Sequence, residues 1–133
     1  MMHRVLIVED TPADMRQSTA VVKKLGAQDI TAVNNIAAAI LFLQDVVEGT
    51  QQAPDLILLD LSFPHESGFE VLRLWKSTPQ LHSIQVVVWT VMGDTEKKLC
   101  RFFGVDLVVP KWAGAKELET ALRSLSDESR SVG

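Results

Sequence analysis

The sequence holds one cysteine among 133 residues, Cys100, so no internal disulfide can form and a reducing compartment is expected. Cys100 lies between Leu99 and Phe102 in an apolar stretch and reads as a buried, inert thiol. No apolar run approaches the ~20 residues of a membrane span, so no membrane association is expected. Met1-Met2-His3-Arg4 leads straight into a short apolar run, without the longer core of a signal peptide, and the expected location is cytoplasmic. Positive charge is also scarce. The net charge of −4 and pI near 5.3 leave no basic face for direct nucleic-acid binding. His3, His65, His82 and Cys100 lack compact metal-ligand spacing, which argues against zinc. No Gly-x-x-x-x-Gly-Lys loop is present for a nucleotide. Trp75, Trp89 and Trp112 are scattered and read as packing residues.

What remains is an ordinary globular composition, 47% hydrophobic and 23% charged, of a size for one domain. Its organisation lies in four apolar runs, each ending on a polar head. Val5-Leu6-Ile7-Val8 runs into Glu9-Asp10, and Leu56-Ile57-Leu58-Leu59 into Asp60. Val86-Val87-Val88-Trp89 runs into Thr90, and Leu107-Val108-Val109-Pro110 into Lys111. Unbroken runs of branched residues suit parallel strands buried on both faces. A weaker strand is expected over Ile30 to Val33.

Helical patterns fit between the strands. Thr11-Pro12-Ala13-Asp14 supplies a hydroxyl cap, a first-turn proline and a first-turn acid, with the helix ending near Leu25-Gly26. Asn34-Asn35 caps a second helix whose stripe is Ile36, Ile40, Leu43 and Val47. A third runs from Ser67-Gly68 to Lys76 with Val71, Leu74 and Trp75 inward, before Pro79. A fourth, Asp94 to Phe103, carries Leu99, Phe102 and Phe103 as its stripe; a fifth carries Leu118, Ala121, Leu122 and Leu125. The alternation predicts a doubly wound α/β fold, a five-stranded parallel sheet with five helices over residues 1–126 and a polar, frayed tail over 127–133. In such sheets ligands bind beyond the carboxyl ends of the strands, which would gather three carboxylates, a hydroxyl and a lysine. That set suits a divalent cation together with a phosphoryl group.

From Val5 to Leu125 the chain resembles the receiver domain of two-component response regulators. Glu9-Asp10 matches the acidic pair after the first strand, and Asp60 the phosphoacceptor, with Pro64 and Gly68 at the family's offsets beyond it. Thr90 matches the hydroxyl after strand four, and Lys111 the lysine after strand five, spaced as usual from Gly104. The resemblance implies a flavodoxin-like fold with strand order 2-1-3-4-5. It implies Mg²⁺ held by Asp10, Asp60 and the backbone carbonyl of Ser62, with Glu9 mostly through water. Lys111 would meet the phosphoryl oxygens, and Thr90 would bond to them once the phosphate is present. Asp60 is expected on rigid structure yet exposed. The implied protein is not an enzyme but a phosphoacceptor that assists its own phosphorylation and dephosphorylation. Its partners would be a sensor histidine kinase or histidine phosphotransfer domain, and a downstream protein on the face of helix four, strand five and helix five. Lys97, Lys98, Leu99 and the Trp112 region are candidates there, and no effector domain fits in the remaining residues.

Several residues depart from the pattern. Trp112 follows Lys111 where most receivers have proline, and Val108 stands where many carry an aromatic ring that moves on activation. Ser62 and Met92, two residues beyond Asp60 and Thr90, are neither acidic nor amide-bearing, so slow loss of phosphate is expected. His65 reads as a solvated loop residue. Three rivals stay open: a phosphorylation-independent interaction module, an aspartyl-nucleophile phosphohydrolase and a flavodoxin-like electron carrier. The hydrolase reading is disfavoured by Ser62, where such enzymes usually place a second aspartate.

Overall fold

The computed structural model describes residues 2–91 and 93–132, with side chains described through Leu125. Five parallel strands, β1 (Arg4–Val8), β2 (Asp29–Val33), β3 (Leu56–Leu59), β4 (Gln85–Thr90) and β5 (Leu107–Pro110), form one sheet in the order β2-β1-β3-β4-β5. The helices are α1 (Pro12–Lys24), α2 (Ile36–Glu48), α3 (Phe69–Ser77), α4 (Asp94–Phe103) and α5 (Ala115–Val132). Short 3₁₀ turns cover Pro79–Leu81 and Lys111–Ala113. The backbone of α5 continues through most of the segment expected to be a tail; the side chains of 126–133 lie outside the described residues.

Strand residues alternate between two cores because successive side chains point to opposite faces. Leu6, Val8, Ile57, Leu59, Val86 and Val88 face α2, α3 and α4. Val5, Ile7, Leu56, Leu58, Val87, Trp89 and Val109 face α1 and α5. Burial on both sides is why these strands read as unbroken apolar runs. On α5 the expected stripe holds, with Leu118 and Leu122 fully buried.

Four helices differ from their sequence patterns. Thr11 stands at the N-cap of α1 but makes no side-chain capping bond; its hydroxyl donates to Asp10 Oδ1 at 3.5 Å instead. Glu9 Oε1 accepts the Thr11 N–H at 3.3 Å. On α2, Asn35 caps as expected, accepting the Ala38 N–H at 2.7 Å, but the buried line is Ile36, Ala39 and Leu43, while Val47 is exposed. On α3, Leu72 is buried alongside Val71 and Trp75, and Leu74 is only partly so. The α4 stripe is overturned. Cys100 is its buried residue, Leu99 is 42% and Phe102 68% exposed, and Phe103 is half-buried. Four apolar residues at 99, 100, 102 and 103 wrap too much of this ten-residue helix for all of them to face one sheet.

Candidate functional site

Strand register brings the polar heads together. Val8 lies opposite Leu59, Leu59 opposite Val88, and Thr90 opposite Pro110, so the residues that follow emerge at one edge. Asp60 N–H donates to Val8 O at 3.0 Å, and Glu9 N–H to Val33 O at 3.0 Å, continuing the ladder to the rim.

Asp60 is buried, 3% exposed, which corrects the expectation of an exposed carboxylate. Three donors enclose it. Its Oδ1 accepts Thr90 Oγ1 at 2.5 Å and the Ser62 N–H at 3.0 Å, and its Oδ2 accepts Lys111 Nζ at 3.1 Å. A buried carboxylate of this kind is tolerable only because it is hydrogen-bonded and paired. The Thr90 hydroxyl, expected to wait for a phosphate, is already on Asp60, and it also receives the Leu61 N–H at 3.3 Å. Ser62 Oγ lies 3.2 Å from Thr90 Oγ1 and donates to Val91 O at 3.3 Å. Met92 lies outside the described residues.

The loop after β3 is held by two devices. A Cβ on Gly68 would stand 2.7 Å from Leu61 Cα and 2.8 Å from Asp60 O, so only glycine lets the loop close against the strand end. The carboxylate of Glu66 accepts the Ile36 and Ala37 N–H groups at 3.0 and 3.3 Å, pinning the same loop to the start of α2, where the helix dipole favours negative charge. His65 is exposed and does not line the site.

Lys111 forms the other wall. Its ammonium sits 2.8 Å from Glu9 Oε2, 2.8 Å from Asp14 Oδ2 and 3.1 Å from Asp60 Oδ2, and 5.2 Å from the centroid of the Trp89 ring. Burial works against that charge, but the bonds the ammonium donates to Asp14 and Glu9 and the charge of Asp60 outweigh it and hold Lys111 protonated. Burial raises Glu9 to about 7; Asp60 adds to the rise, while Lys111 and the Thr11 N–H oppose it. Sequence reasoning missed Asp14 and Trp89. Asp14 was legible only as an acid in the first turn of α1. Trp89 carried no signal beyond its position at a strand end.

One carboxylate oxygen each from Glu9, Asp10 and Asp60 lies within 4.8 Å of the others, a set of hard donors able to hold a metal ion. A cleft of about 430 Å³ opens over it, lined by Asp10, Asp14, Asp60, Ser62, Pro64 and Lys111 among others. Of the departing residues, Trp112 is 80% exposed and Val108 packs half-buried against the α2–α4 core. No peptide bond among the described residues is cis.

Comparison with known proteins agrees with this geometry. The chain is 28% identical over 120 residues to the rice two-component response regulator ORR1, covering 87% of this chain but only 52% of that one. It is 40% identical over 100 residues to the response regulator Rcp1 of Synechocystis, covering 74% of this chain and 68% of that one. The crystal structure of the Mn²⁺-bound form of Rcp1 superposes with a TM-score of 0.78 at 30% identity, over 92% of this chain and 91% of that one. The pattern of the response regulator receiver domain matches residues 5–123, and the chain belongs to that family.

Proposed function

We propose that the protein is a phosphorylation-dependent signalling switch that accepts a phosphoryl group on Asp60 from a histidine kinase or phosphotransfer domain. The observation that carries this reading is the enclosure of Asp60: donors from three strand ends and a neighbouring acidic set converge on one carboxylate. In the transfer, an Asp60 oxygen forms a bond to phosphorus. The bond from phosphorus to the donor breaks, and its electron pair leaves with the donor. Lys111 and Thr90, now bound to Asp60, exchange onto the phosphoryl oxygens as negative charge moves outward. No separate catalyst is required for this, so the protein is a phosphoacceptor that assists its own reaction rather than an enzyme with turnover.

The proposed metal is Mg²⁺, held by Asp10, Asp60 and the Ser62 carbonyl. The Glu9 side chain is 2% exposed and does not line the cleft that Asp10 and Asp60 line, which supports an indirect role for Glu9. When bound, the ion supplies positive charge that offsets the clustered carboxylates and the incoming phosphoryl group. Output is proposed to pass by protein contact across α4, β5 and α5, where Val91, Leu99 and Trp112 are exposed. No described helix is long and apolar enough to cross a membrane, and the proposed setting is cytoplasmic.

The test is intact mass after incubation with acetyl phosphate and Mg²⁺. Wild type should gain one phosphoryl group and Asp60→Asn none. Equal gain in both proteins would reject the assignment. Asp10→Asn should gain it far more slowly, because a direct ligand and a unit of charge are lost.

A further inference from the structure

The ammonium of Lys111 has three donors, and all three are taken. Glu9 and Asp14 each hold one at 2.8 Å, and Asp60 holds the third at the longer 3.1 Å. Glu9 is sealed in the interior at 2% side-chain exposure, whereas the Asp14 side chain is 27% exposed and lines the mouth of the cleft. Asp14 sits in the first turn of α1, where the helix end stabilises its charge. It is therefore an anion placed beside the path of another anion, holding the ammonium that the arriving group must recruit.

Building on the phosphoacceptor reading above, we propose that Asp14 is a positioning residue that competes with the incoming phosphoryl group for Lys111 and thereby limits how fast Asp60 is phosphorylated. Before transfer, the Asp14 contact draws the ammonium toward α1. During transfer, a Lys111 donor must pass to a phosphoryl oxygen while Asp14 continues to claim its share of the same charge. Loss of the Asp14 carboxylate leaves Lys111 attached to the rim through Glu9 and the Trp89 ring, with a donor free for the phosphoryl group. The contact is a built-in brake on transfer.

Initial rates of phosphoryl gain from acetyl phosphate, followed by intact mass at saturating Mg²⁺, test this in five proteins: wild type, Asp14→Asn, Asp14→Glu, Lys111→Gln and the double variant Asp14→Asn/Lys111→Gln. Asp14→Asn should be phosphorylated at least about threefold faster than wild type, the size expected of one partly exposed ion pair. Asp14→Ala, which removes the acceptor altogether, should act in the same direction if Asp14→Asn folds poorly. Asp14→Glu, which keeps the charge, should stay within about twofold of wild type. In the Lys111→Gln background the Asp14→Asn gain should vanish, since the two residues act as a unit. An Asp14→Asn rate equal to or below wild type overturns the proposal. So does the same gain with and without Lys111, which would mean that Asp14 acts by repelling the donor and not through the lysine. A wild type that gains no phosphoryl mass on Asp60 is a different failure, one that removes the phosphoacceptor reading and this inference together.

Discussion

The loop after β3 and the helix after β4 both leave the sheet at the same rim, and they are built in opposite ways. After β3, the chain is committed at almost every position: Gly68 closes on Leu61, Glu66 caps α2, and the Ser62 N–H holds Asp60. After β4, apolar groups are left in water. Val91 is 67%, Leu99 42% and Phe102 68% exposed, and of α4 only Cys100 is fully buried, with Phe103 half-buried against the core. The acceptor side spends its sequence on holding one carboxylate still. The α4 side keeps a surface that a partner could read, at no cost to the acceptor. The fixed acceptor loop and the exposed α4 surface sit on neighbouring strands, linked where Ser62 Oγ donates to Val91 O at 3.3 Å.

Substitutions that treat the two sides alike should therefore have unlike effects. The largest difference is expected at glycine. Gly68→Ala forces a Cβ into backbone and should cost about 2–4 kcal/mol by urea unfolding. Gly104→Ala, at a φ of +82° with nothing within 4 Å, should cost only about 1 kcal/mol. Similar losses at both would erase the contrast.

The next effect is a pH dependence on the acceptor side. Glu9 sits at about 7 in the folded protein against an ordinary 4.5, so the folded state binds this proton more tightly than the unfolded chain. Below about 4.5 both states are protonated, and above about 7 both are ionised. Metal-free stability from this group thus falls as pH rises between those values, by up to about 3 kcal/mol. Glu9→Gln should flatten that slope in thermal melts taken across the window. A slope unchanged in the variant would mean that another group carries it.

The smallest effect belongs to the α4 side. Leu99→Ser and Phe102→Ser remove exposed groups and should change unfolding free energy by no more than about 0.5–1 kcal/mol. A loss near 3 kcal/mol from either would show that these residues are core after all.

Much of this was legible in the residues. Runs such as Val5–Val8 and Leu56–Leu59 are apolar throughout because both sheet faces are covered, so strands, order of elements and the polar heads at their ends could be read directly. Helix faces were less legible where apolar residues crowd together: 99, 100, 102 and 103 offer more than one stripe, and of these Cys100 is the one fully buried in the core shared by α2, α3 and α4. Thr11 looked like a cap by type, but the Glu9 carboxylate already serves the start of α1, which no local pattern reveals. Asp14 was missed because its partner is 97 residues away, and only the register of β4 with β5 brings Lys111 to it. Burial of Asp60 was missed for the same reason, since its enclosure comes from other strands.

The central claim is that this enclosed carboxylate, and no other acid at the rim, carries the phosphoryl group. Borohydride reduction converts an aspartyl phosphate to homoserine and leaves free carboxylates unchanged, so it marks the acceptor directly. After phosphorylation, reduction and peptide sequencing by mass spectrometry, homoserine should appear at position 60 alone. Homoserine at position 10 or 14, or at none of the acids in a protein that has gained phosphoryl mass, would contradict the account.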